Sequence, residues 1–238
     1  MKGKNFLNAV WAMPLLFTTA IFADGGADEA IQRGNEAFGR GHYQLAIFEY
    51  QAALAVDSRR HYVMARYNIG VCYFKLGRLS DAVREYRAAI AAGDGQYSKA
   101  LYALGVALED LGQWDEARSA LTRAVELSGE RHVEALFELG LIRHREGDFE
   151  AASNHFRRAV AQVTGIFPAG LNNLGVTLAA LGRLSEAEQA FEKALAQSRG
   201  RLVEARRNLR LCRAAHSSPF RERLASLTIA GRNAAAGN

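Results

Sequence analysis

The chain has 238 residues, 49% hydrophobic and 23% charged, which is enough apolar material to bury a substantial core. Its formal net charge of +5 is uneven: Lys2 and Lys4 supply +2, nine arginines against Glu204 and Glu222 leave +7 from Arg199 onward, and the stretch between carries −4. An arginine-rich end suits an anionic partner, but it lacks the interleaved aromatics of a single-strand platform, so nucleic acid is not expected to be that partner.

Residues 1–23 begin MKGKN and continue as an apolar run from Phe6 to Ala23. This is the layout of a secretory signal peptide cut after Ala23 or Ala20, although Ile21 departs from the small-residue rule for an Ala23 cut. The alternative is an uncleaved N-terminal anchor, because the run is just long enough to span a bilayer. Both place the rest of the chain across the membrane, exported and periplasmic or anchored facing the periplasm. No cysteine directly follows the run, which argues against a bacterial lipoprotein.

From residue 24 the chain repeats. Gly34, Gly70, Gly105, Gly140 and Gly175 recur at intervals of 36, 35, 35 and 35 residues. Gly41, Gly77, Gly112, Gly147 and Gly182 keep step, as do Ala46, Ala82, Ala117, Ala152 and Ala187. Tyr50, Tyr86, Leu121, Phe156 and Phe191 follow four later, and then Ala53, Ala89, Ala124, Ala159 and Ala194. Small, turn, small, large, small is the order of a helical hairpin in which small residues let two backbones approach and large ones fill the gaps. The repeats start near 27, 63, 98, 133 and 168, with short turn-rich connections, so residues 24–215 read as one continuous array.

After Gly200 the stretch 202–215 reads as a further first helix, with Arg210 where the glycine belongs and no second helix behind it. A half-repeat with a charged column is a solvating cap. In residues 216–238, Ser218 and Pro219 read as a helix start, and Phe220, Leu224 and Leu227 make an apolar stripe. That segment packs on the cap, lies in a groove or binds a partner; the final AGRNAAAGN reads as disordered.

The repeat resembles the tetratricopeptide repeat. The resemblance covers about residues 27 to 201 and implies an all-α fold, a right-handed α-solenoid of tandem helix-turn-helix units. The repeats are one residue longer than the usual 34, and Ser58, Asp94, Gly129, Thr164 and Arg199 stand where a proline normally ends the second helix. Looser repeat junctions are the expected consequence. The resemblance also places Cys72 and Cys212 inside hairpins four repeats apart, as small buried hydrophobes beyond disulfide reach.

Motifs for chemistry are absent. His42, His61, His132, His144, His155 and His216 form no metal-ligand spacing, the glycines serve the repeat and not a phosphate loop, and no nucleophile motif occurs. The expectation is a non-enzyme without cofactor or metal. What remains is the concave groove that the resemblance implies, lined by the first helix of each repeat. Its register selects Ile31, Asn35 and Phe38; Tyr67, Asn68, Val71 and Phe74; Lys99, Tyr102, Val106 and Glu109; Glu134, Phe137, Leu141 and His144; and Asn172, Val176 and Ala179. Aligned apolar and aromatic side chains there point to a peptide-binding site, unless a neighbouring helix or the C-terminal segment covers them. Chaperone-binding members of the family grip a C-terminal carboxylate with five residues. Asn35, Asn68 and Lys99 match three, while Ile31 and Ala103 stand where cations belong, so apolar contact is expected to dominate.

Two functions follow. In the first, the chain is an extracytoplasmic scaffold or adaptor binding a peptide or helical segment of a partner protein, in bacterial envelope assembly, secretion or cell-wall processes. In the second, it is a structural, self-assembling protein attached through Arg206, Arg207, Arg210 and Arg213 to an anionic membrane surface or cell-wall polymer.

Overall fold

A computed structural model describes residues 24–55, 59–129, 131–216 and 227–231; the expected leader lies outside them. The described residues form eleven helices and no strand. In chain order these are α1 (Asp24–Gly39), α2 (Tyr43–Ala53), α3 (Arg59–Lys75), α4 (Leu79–Ala92), α5 (Ser98–Asp110) and α6 (Trp114–Leu127). There follow α7 (Val133–Glu146), α8 (Phe149–Gln162), α9 (Pro168–Ala180), α10 (Leu184–Gln197) and α11 (Val203–His216). Odd and even helices pair as hairpins, and the architecture is an all-α solenoid. Both α1 and α3 start earlier than the sequence register suggested.

The glycine columns explain the hairpins. A β-carbon built on Gly34, Gly70, Gly140 or Gly175 would come 2.4–2.6 Å from the ring of Tyr50, Tyr86, Phe156 or Phe191 on the second helix. At Gly105 the neighbour is the Leu121 side chain at 2.5 Å. Each large side chain fills the space its glycine leaves, and the five alanines on either side of it along the second helices are fully buried. Between the helices, Gly147 adopts φ 80° and its column mates adopt 71° to 76°, a conformation that costs a glycine nothing. Asp148 then caps α8 by accepting from the Ala151 amide at 3.1 Å.

Two of the repeat junctions also depart from expectation. Where proline was missing, Asp94 (φ 51°) and Arg199 (φ 50°) take the left-handed conformation, each followed by a glycine that does the same. The amides of Gly95 and Gly200 donate back to the carbonyls of Ile90 and Leu195, both at 2.7 Å. Proline cannot adopt a positive φ, so a left-handed cap replaces the proline stop, and these junctions are closed by hydrogen bonds.

A core runs unbroken from Ala82 through Phe191 to Cys212, and a second fills the first hairpin and reaches along α3 from Ala65 to Cys72. Cys72 belongs to one and Cys212 to the other; both are free and buried, and burial raises each thiol to about 11. Consecutive odd helices touch, α1 with α3, α3 with α5 and α9 with α11, so the first helices line the inner wall. No helix among the described residues is long and apolar enough to cross a membrane.

Candidate functional site: the inner wall and its asparagine end

Most of the aromatic wall is engaged in holding the repeats together. Tyr67 meets Tyr97 with ring centroids 5.3 Å apart, Tyr102 meets His132 at 4.9 Å, and Phe137 meets Phe167 at 5.4 Å. Tyr97, His132 and Phe167 are the residues that cap α5, α7 and α9 at their N-termini. One column of first-helix aromatics thus stacks on the entry to the next repeat, an inter-repeat staple worth more than its buried area alone. Burial holds the Tyr67 hydroxyl above its ordinary range.

The other wall residues divide similarly. Ile31, Val106, Phe137, Val176 and Ala179 are buried, and Tyr67, Val71, Phe74, Tyr102 and Leu141 are half-buried against the main core. Phe38 packs on Tyr43 at 5.4 Å. Asn35 is exposed but accepts from the Tyr50 hydroxyl at 2.8 Å, whereas Lys99 is exposed and Asn68 half-buried. The rings of the wall are therefore shared with repeat packing, because a solenoid has no central core to hold successive repeats together, and Tyr67, Phe74 and Tyr102 stay partly exposed. His144 is half-buried, 3.1 Å from the Thr177 hydroxyl. That hydroxyl donates to the Asn173 carbonyl at 2.8 Å, so it must accept from His144 Nδ1–H.

The far end of the wall has different chemistry. Where the stacking column reaches α9 it holds Asn172 instead of an aromatic; beside it is Asn173, and Asn208 follows in the same register on α11. All three are fully buried. They contact a segment without helix or strand, Leu227–Gly231, from beyond α11 in the chain. Asn173 Oδ1 accepts from the Ala230 amide at 2.7 Å, and its Nδ2 donates to the Ala230 carbonyl at 2.8 Å. Asn208 treats Thr228 in the same way, accepting from its amide at 2.9 Å and donating to its carbonyl at 2.8 Å. Asn172 joins the two, donating to Thr228 at 3.1 Å and to Asn173 at 3.1 Å and accepting from Asn208 at 2.9 Å.

In an extended chain the main-chain groups of residues two apart face the same side, so two primary amides can act like a neighbouring strand. The network satisfies amides that would be costly to bury alone. Leu227 and Ile229 pack against the main core, and Ala230 is 1% exposed. Two expectations are corrected here. Leu227 lies in no helix, and Ala230, placed in a disordered end, is held by two hydrogen bonds. Phe220 and Leu224 lie outside the described residues.

Of the four arginines on α11, Arg207 and Arg210 are exposed, Arg206 donates to the Gly200 carbonyl, and Arg213 pairs with Glu192 at 2.5 Å and Glu188 at 3.9 Å. Among the described residues no group of three or more histidine, cysteine or acidic side chains could hold a metal.

The tetratricopeptide repeat profile matches residues 31–97, 102–165 and 145–201. The chain belongs to the tetratricopeptide repeat family. As a tetratricopeptide repeat protein it is a protein–protein interaction scaffold. Similar solved structures include MamA (23% identity, TM-score 0.63, covering 74% of this chain and 94% of that one). PilF of Pseudomonas aeruginosa is 22% identical with a TM-score of 0.68, over 86% of this chain and 89% of that one. YrrB, a tetratricopeptide repeat protein with an unusual peptide-binding site, is 26% identical with a TM-score of 0.61, over 81% and 92%. None of the curated proteins matches the chain significantly.

Asn173 and Asn208 escaped the sequence reading. The available signal was a polar pair, Asn172–Asn173, within the otherwise apolar helix PAGLNNLGVTLAA, with Asn208 recurring thirty-five residues after Asn173.

Proposed function

We propose that this protein is an adaptor whose inner wall, at the α9–α11 end, holds an extended peptide segment of a partner protein. The observation that carries this reading is the paired grip of Asn173 and Asn208 on both main-chain groups of alternate residues. Such a grip recognises a peptide whatever most of its side chains are, and leaves selectivity to the pockets between. The likeness to YrrB, with its own peptide-binding site, lends support.

The setting we propose is extracytoplasmic, exported or anchored through residues 1–23, in bacterial envelope assembly, secretion or cell-wall processes. The positive and then apolar order of that leader, with acidic residues following it from Asp24, supports it. Attachment to an anionic surface through α11 has less behind it, because Arg206 and Arg213, exposed like Arg207 and Arg210, are already engaged within the chain.

The test is a pull-down from envelope extract with the wild-type chain and with Asn208→Ala, each checked for helicity by circular dichroism. A partner retained by the first and lost by the second places binding at the asparagine end. A partner held equally by both contradicts the reading. A reporter fused after residue 30 and assayed for export checks the location separately.

A further inference from the structure

The peptide-binding end of the wall is already occupied, by the chain itself. We propose that Leu227–Gly231 is an internal ligand of this site, and that a partner segment must displace it and share its pattern: apolar, any moderate residue, apolar, then alanine or glycine. This rests on the adaptor reading above and adds to it the class of peptide and the competition.

Three observations lead there. The asparagine network is well satisfied: both Nδ2 hydrogens of Asn172 and Asn208 are used, Asn173 Nδ2 donates to Ala230, and every Oδ1 accepts. Three fully buried amides aimed at another segment's main chain are not a requirement of the hairpin fold, which the other repeats achieve without them. In the Asn173 and Asn208 column the earlier repeats carry Gln32, which is exposed, Asn68, which is half-buried, Ala103 and Glu138, so a pair of fully buried amides is confined to this end.

The second observation concerns side-chain size. Ala230 is 1% exposed while Asn173 holds both its main-chain groups, so a longer side chain has no space unless its neighbours move. Leu227 and Ile229, the alternate positions, pack against the core and demand apolar residues. The third is the tether. Ten residues, 217–226, join α11 to the bound segment, and a short tether keeps such a segment at an effective concentration of about millimolar. A free peptide of equal intrinsic affinity therefore competes at a disadvantage until the tail is weakened.

The test uses the full-length chain and a fluorescent peptide of residues 225–233, ASLTIAGRN. Ala230→Trp and, separately, Thr228→Pro are introduced into the tail, outside the helices of the solenoid, and circular dichroism checks that the helices are kept. The first removes the small residue, and the second removes the amide that donates to Asn208. Both variants should bind the labelled peptide at least tenfold more tightly than wild type, by anisotropy. Adding Asn173→Ala with Asn208→Ala should abolish that gain, and a peptide carrying tryptophan at the 230 position should not bind. If both tail variants bind the peptide no better than wild type, the proposal is overturned. A partner that still depends on Asn208 in the pull-down would then leave the adaptor reading standing.

Discussion

Gly140 faces the ring of Phe156 so closely that a β-carbon on it would come 2.5 Å from the ring. Alanine in a helix interior is ordinarily favoured over glycine by about 1 kcal/mol. Here overpacking reverses the sign, at a cost of about 1–3 kcal/mol, because Phe156 is fully buried and cannot swing away. Gly140→Ala is expected to lower stability in urea unfolding. Gly39→Ala, at the end of α1 with nothing within 4 Å, is expected to be neutral or mildly stabilising. Equal behaviour of the two would contradict the packing account.

The ring staple between repeats gives a second prediction. Tyr67→Ala and Tyr97→Ala should each destabilise the array, and a double-mutant cycle should show coupling of about 0.5–1.5 kcal/mol between them. Additive effects would mean that the 5.3 Å stacking is incidental. A loss of partner binding in a Tyr67 variant needs this control, since the residue supports the fold whether or not it touches a ligand.

At the last junction, Arg199 sits at φ 50° with an exposed side chain. Arg199→Gly should stabilise by about 1 kcal/mol, relieving a left-handed conformation that a β-carbon disfavours. Arg199→Pro, which would restore the family's usual residue, should destabilise by about 3 kcal/mol or more. Thermal unfolding of the two variants should move in opposite directions.

Burial also sets a pH dependence. It holds the imidazole of His144 below its ordinary range, and His155 likewise, with Arg143 adding repulsion. A histidine depressed in the folded state binds its proton more readily when unfolded. The associated stability is therefore present above about pH 6.5, the unfolded value, and is lost as the pH falls through the folded one. Urea midpoints should drop between pH 7.5 and pH 5, and the drop should be smaller in His144→Gln. An unchanged pH profile in that variant would contradict the assignment.

The repeats were legible because hairpin packing is local. Gly140 and Phe156 are sixteen residues apart, and the same spacing recurs five times, so the columns could be aligned without a structure. The junction caps were half legible: the absent proline was plain, but its replacement by Asp94 and Arg199 in a left-handed conformation depends on the hydrogen bonds of Gly95 and Gly200. The wall is half legible: helix register places Tyr67 and Phe137 on the inner face without revealing Tyr97 and Phe167 beside them. The asparagine end was missed for a different reason. Asn173 reaches Ala230 across fifty-seven residues, and an extended tail read through its main chain leaves no side-chain periodicity to find.

Two amides bear the central claim, that the asparagine end holds an extended segment by its main chain. Amide hydrogen exchange in the full-length chain, resolved at single residues, measures them directly. The account predicts protection at Thr228 and Ala230, whose amides donate to Asn208 and Asn173, and its loss at both in the Asn173→Ala, Asn208→Ala variant. Exchange of both amides at the unprotected rate in the wild-type chain would contradict it.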